Sequence, residues 1–141
     1  FEGVEHHPDL QKTYYDIMKA TELRIGNYVY DKYGRVQEVL SIETECTIED
    51  KAIRYVKYYN IVESIENTNP IPLTEEWLLK FGFKVEDNSW FKNKDLITLE
   101  RYDNRDWDVF YSNTYEVHLR VINHVHQLQN LYFALTNKEL K

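Results

Sequence analysis

Three histidines, His118, His124 and His126, crowd into one short stretch near the end of the chain. A strand histidine followed by an H-x-H pair is a pattern that could ligate zinc. Residues two apart on a helix point in different directions, so a helical 124–126 would not bring its pair onto one metal. The single cysteine, Cys46, supplies no second thiolate, and the acids around it disfavour its own. The pattern predicts no metal centre. Asp103, Asp106 and Asp108 surround Arg105 as a carboxylate cluster, but the glycine and closing glutamate of a calcium loop are missing. That cluster reads as a solvated turn between strands. Only four glycines are present, none in a phosphate-cradling loop. No nucleophile stands beside a base. These residues therefore predict no catalytic site and no cofactor. Twelve tyrosines are the remaining resource. Tyr28, Tyr30, Tyr55, Tyr58 and Tyr59 form the candidate binding set, an aromatic face able to stack a base or dock a peptide.

Composition narrows the partners. Lys and Arg total 17 against 24 Asp and Glu, a net charge of -7 with no basic block. Sequence-independent nucleic-acid binding needs clustered cations, so nucleic acid is an unlikely partner and a local groove through Arg24, Arg35, Arg54 and Lys57 is its one opening. A lone cysteine fits a reducing compartment. No apolar run approaches a membrane span and no secretory signal is visible, which predicts a cytoplasmic protein. At 141 residues the chain suits one domain, or two small subdomains.

Hydrophobic periodicity predicts the elements that must position these residues. Leu23, Ile25, Tyr28 and Tyr30 form an extended run bent at Gly26-Asn27. Tyr33-Gly34 marks a hairpin turn after Asp31-Lys32. Val36, Val39, Leu40 and Ile42 make the next strand. Thr44–Asp50 is polar, a strand or a loop, and Arg54, Val56 and Tyr58 alternate with Tyr55, Lys57 and Tyr59 as a strand. Asn69-Pro70-Ile71-Pro72 is a rigid connection. A short helix follows, capped by Thr74, started by Glu75 and Glu76, faced with Trp77, Leu78 and Phe81, and stopped by Gly82. Phe83–Glu86, Trp90-Phe91, Leu96–Arg101, Trp107–Ser112 and Tyr115–Val121 read as strands joined by short turns, which forces an antiparallel meander. The closing stretch carries Val125, Leu128, Leu131, Tyr132 and Leu135 on one helical stripe, with Gln127, Gln129 and Asn130 on the other side. Asn123 is the expected cap and Asn137 the expected left-handed stop.

The predicted class is α+β. The segment RIGNYVYDKYGRVQEVLSI resembles the opening of Src-homology-3-like barrels, which implies a small β-barrel at 18–69, followed at 70–141 by the helix, the meander and the C-terminal packing helix. Residues 1–17 read as an N-terminal extension, because MKATELRIGNYVY from Met18 looks like a natural beginning. The expectation is that the extension makes few contacts and that a chain starting at Met18 folds. Within it, Glu2, His6-His7-Pro8 and Tyr14 resemble the opening of the pterin carbinolamine dehydratase motif, although Arg24 stands where that family has a histidine or an aromatic. MKATELRIGN, PIPLTEEWLLKFGF and VHQLQNLYFALT resemble a family of small uncharacterised proteins of gut Bacteroidetes and their phages and mobile elements. That resemblance spans 18–141 and implies no particular chemistry. The expectation drawn from all of this is a non-enzymatic binding module acting on a host protein or a small ligand. The alternatives are a nucleic-acid accessory protein using the barrel face and a minor enzyme using the histidines.

Overall fold

The computed structural model describes residues 22–46, 52–92, 97–103, 106–111 and 117–141. The expectations for residues 1–17, for a start at Met18 and for the turns at 93–95 and 113–114 lie outside them, and of Cys46 the backbone alone is described. The protein is mixed α+β, with antiparallel strands in open sheets and two α-helices among the described residues. It divides into two compact units at Ile71/Pro72. Among the described residues no helix is long and apolar enough to cross a membrane.

The first unit is built from β1 (Tyr28–Tyr30), β2 (Val36–Glu38), β3 (Ser41–Cys46), β4 (Ala52–Lys57) and β5 (Val62–Ser64), closed by a 3-10 turn at Ile65–Asn67. β1 and β2 pair as one sheet, and β3-β4-β5 form another. The predicted single strand from Val36 to Ile42 is thus cut in two. The reason is a change of partner: Val39 N–H donates to Asn27, and the next residue, Leu40, donates to Lys57. One peptide bond therefore hands the chain from the first sheet to the second. No closed ring of ladders runs through the described residues. A single bridge, Tyr30 to Asn69, ties the chain two residues past the 3-10 turn back to β1. The predicted bend at Gly26-Asn27 is present, with Gly26 at φ 98. Ile25, just before it, is 60 % exposed. Leu23, Val29, Val39, Val56 and Tyr58 form the core, with Ile42, Ile61 and Ile65 packed on it.

The turn after β1 is held by a carboxylate. Asp31 accepts from the backbone N–H of Tyr33 and Arg35, from Arg35 Nε and from Gln37 Nε2, at 2.8–2.9 Å. Its side chain is wholly covered, but by its own hairpin rather than by deep protein. Burial pushes its pKa up; the donors of Gln37, Arg35 and Tyr33 outweigh this and hold it at about 2.

In the second unit, helix α1 (Glu75–Lys80) leads into β6 (Lys84–Glu86), β7 (Ser89–Phe91), β8 (Ile97–Glu100), β9 (Trp107–Tyr111), β10 (Val117–Ile122) and helix α2 (Val125–Thr136). The strands form one antiparallel sheet in the order β10-β9-β8-β7-β6, the predicted meander. Thr74 caps α1 by accepting from Trp77 N–H, and Gly82 follows the helix at φ 88, as the sequence predicts. Residues directly opposite across antiparallel strands share a face. Val85 faces Trp90, Trp90 faces Leu99, and Leu99 faces Val109, so one face carries the apolar set. Trp107 lies on it too, two residues before Val109. Its indole N–H donates to the Leu73 carbonyl at 2.9 Å, and Leu73 N–H donates to Asn123.

α2 corrects two expectations. Its cap is His124, not Asn123: the imidazole and the Gln127 side chain form a reciprocal box, with Gln127 Oε1 accepting from the N–H of both Asn123 and His124. Gln129, placed by the sequence reading on the wet side, is fully buried with Val125, Leu128 and Tyr132. The spacing 125, 128, 129, 132 is itself one helical face. Gln129 is tolerated there because its amide donates to the buried Leu140 carbonyl at 3.0 Å. Asn137 ends the helix in the left-handed region at φ 61, as predicted.

Candidate ligand cleft

The tyrosine set does not form one surface. Tyr58 is core: it is fully buried and its hydroxyl shares a 2.9 Å hydrogen bond with Thr68. The alternation that placed it beside Tyr59 on a strand ends at Lys57, where the chain turns and Tyr58 N–H donates to Ile61. Burial first, and then the nearby Glu63 and Asp31 charges, push its phenol up to about 12 against the opposing Thr68 hydrogen bond. Tyr59 is 81 % exposed at the turn. Tyr28 and Tyr30 sit half-buried on one side of β1, with Val29 on the other, and Tyr55 belongs to the second sheet.

The histidines are separated by function as well as place. His118 on β10 lies 3.1 Å from Asp108 Oδ1 and sets its ring edge against Phe110. Asp108 is consequently a half-buried strand residue, not part of a solvated turn; Asp103 and Asp106 are exposed. His124 precedes α2 in extended backbone, which lets its ring stack on that of His126 at 5.8 Å and 18°. The divergence expected of a helical 124–126 does not apply, because only His126 is inside the helix. Among the described residues no three His, Cys, Asp or Glu side chains converge as a metal group.

A concave feature of the second unit is a cleft of about 250 Å³, lined among the described residues by Glu75, Val85, Asn88, Trp90, Arg101, Asp103 and Trp107. Its position follows from the meander. Alternate connections of a meander fall at the same end of the sheet, so the β6–β7 turn and the β8–β9 connection come together. The first is a two-residue turn with Asp87 and Asn88 both at positive φ, a conformation Asp and Asn accept more readily than other non-glycine residues. The second carries Asp103 at φ 58 and follows Arg101. α1 contributes Glu75 from its first turn. Below them lie two tryptophans, Trp90 and Trp107, edge to face with ring centres 6.5 Å apart. Both are nearly buried, so they are a floor and not free platforms.

The polar lining is not spent on the fold. Arg101 lays its guanidinium over the Trp107 ring at 4.4 Å, a cation–π contact that leaves the hydrogen-bonding edge of the group open. Among the described residues that edge has no carboxylate partner, and the side chains of Glu75, Asn88 and Asp103 make no hydrogen bond or ion pair. Two carboxylates, an amide and a positioned guanidinium therefore line one apolar-floored cleft with their bonding capacity available. What these groups can do chemically is donate and accept hydrogen bonds: the guanidinium donates, the two carboxylates accept and the amide does either. Sequence reasoning missed the cleft because each residue had a local explanation: Glu75 as helix start, Asn88 and Asp103 as turns, the tryptophans as sheet face. The alternate-connection rule applied to the predicted meander was the available signal. Compared with known proteins, the chain matches no family model, no curated protein and no solved structure.

Proposed function

We propose that this protein is a non-enzymatic binding module that takes a small ligand in the cleft of its second unit. The observation that carries this reading is the set of unengaged polar side chains around a tryptophan floor. Natural ligand sites combine an apolar enclosure with a few convergent polar groups in just this way. It is favoured over docking at a tyrosine face because the five tyrosines are divided between core, turn and two sheets. It is favoured over nucleic-acid binding because the net charge is -7. The first unit, in the same proposal, is a variant of the Src-homology-3-like barrel; the hand-over at Val39-Leu40 and the Tyr30–Asn69 bridge after a 3-10 turn support it. The resemblance of 18–141 to small proteins of gut Bacteroidetes, their phages and mobile elements supports a role in the bacterial cytoplasm.

The test is a thermal-shift screen of the full chain against charged small metabolites, run in parallel on Val85→Trp. Val85 is half-exposed at the rim, so a large ring there fills the cleft without entering the core. Compounds that stabilise the protein and lose their effect on the variant support the reading. Stabilising compounds indifferent to Val85→Trp, or none at all, refute it.

A further inference from the structure

We infer that the cleft selects a small zwitterion: an ammonium and a carboxylate on a short apolar body, the chemistry of a free amino acid. This rests on the cleft being the ligand site. Size sets the first limit. At roughly 30 Å³ per water, a space of about 250 Å³ holds on the order of eight waters. That accommodates an amino acid.

Charge sets the second limit. Among the described residues that line the cleft Arg101 is the one cation, set over the Trp107 ring at 4.4 Å and without a carboxylate partner. A planar guanidinium matches a carboxylate with two parallel hydrogen bonds. Glu75 and Asp103 offer the opposite capacity, acceptors for an ammonium, and both are unpaired within the described residues. A simple anion would satisfy Arg101 but meet the two carboxylates. A simple amine would satisfy them but leave the guanidinium unused. A zwitterion meets both signs. Asn88 can donate or accept, and the half-exposed Val85, at the rim above the tryptophan floor, is the surface for an apolar side chain.

The experiment is calorimetric titration of the full chain with each free L-amino acid. The tightest binder is then compared with its decarboxylated amine and its deaminated acid. Each truncated compound is expected to bind at least tenfold more weakly than the parent. Arg101→Gln is expected to weaken the amino acid at least tenfold while leaving the amine unchanged. The pair Glu75→Gln and Asp103→Asn is expected to do the converse, sparing the acid. Arg101→Lys, which keeps the charge and loses the planar edge, is a second variant should Arg101→Gln fold poorly, and it is expected to weaken the amino acid as well. An amine or acid that binds as tightly as the parent overturns the inference, as does indifference to both Arg101 variants. If no amino acid binds but another class of compound is displaced by Val85→Trp, the zwitterion falls and the cleft stands. If Val85→Trp alters no binding, both fall.

Discussion

Gln129 is the most informative position in the C-terminal helix, because its burial runs against its chemistry. Its amide is fully buried and donates to the Leu140 carbonyl at 3.0 Å, and Leu140 is itself 1 % exposed. Gln129→Ala removes the donor and strands a buried carbonyl, a loss of about 1–3 kcal/mol. It also deletes the side-chain volume, which in a packed interior adds a cavity term. We expect a total of about 2–4 kcal/mol. Leu128→Ala, at the adjacent fully buried position, should cost about 2–5 kcal/mol. Ala134→Gln, on the exposed side, should stay within about 0.5 kcal/mol. Urea titration followed by tryptophan fluorescence is the assay, and it reports this unit alone: Trp77, Trp90 and Trp107 are the chain's three tryptophans, and all lie beyond Ile71. With a urea slope of about 1–3 kcal/mol per molar, the first two variants should lower the midpoint by about 1 M or more. A Gln129→Ala midpoint equal to that of Ala134→Gln would refute the reasoning. Gln129 would then be a surface residue, and the tail through Leu140 would not be part of the unit's core.

Two further outcomes are expected. Asp31 is held at about 2, well below its ordinary 3.8, so its contribution is present above pH of about 4 and lost as pH falls towards 2; calorimetric melting of wild type and Asp31→Asn should show a gap at pH 7 that closes over that window, and a gap constant down to pH 2 would contradict the assignment. Trp107→Phe keeps an aromatic ring but loses the donor to the buried Leu73 carbonyl, which should cost at least about 1–3 kcal/mol in a urea titration followed by far-ultraviolet circular dichroism; an unchanged midpoint would mean that Leu73 finds another donor.

How far the fold was legible depended on how local its causes are. The cap at Thr74, the stop at Gly82, the Asp87-Asn88 turn and the left-handed Asn137 each rest on one or two residues and their backbone preferences, and each was readable. The meander was readable too, because short connections leave antiparallel neighbours as the one solution. The split of 36–42 was not, since residues on both sides of it are extended and apolar. What divides them is the identity of the hydrogen-bond partner, Asn27 on one side and Lys57 on the other. Tyr58 and Gln129 failed for a shared reason. A tyrosine or glutamine is assigned to the surface when its partner is unknown, and both partners, Thr68 and Leu140, lie about one turn-and-return away in the chain.

The same logic explains why such a cleft can be invisible in a sequence whose local signals are strong. Residues used by the fold announce themselves through the element they build. A capping threonine sits before a helix, and a buried leucine recurs at helical spacing. Asn88 and Asp103 build nothing that needs their side chains, and among the described residues Arg101 engages only the Trp107 ring. The turn at Asn88 asks for its backbone freedom, and the bend at Asp103 asks for the same. Their side-chain chemistry is therefore surplus to folding, and surplus becomes recognisable when three-dimensional placement brings several such groups over one apolar floor. Three separate peptide segments do this here: the first turn of α1, the β6–β7 hairpin and the β8–β9 connection. A sheet that stacks alternate connections at one end makes the convergence a consequence of topology. The fold would persist with neutral residues at Arg101 and Asp103, so it is binding, and not stability, that their replacement should alter.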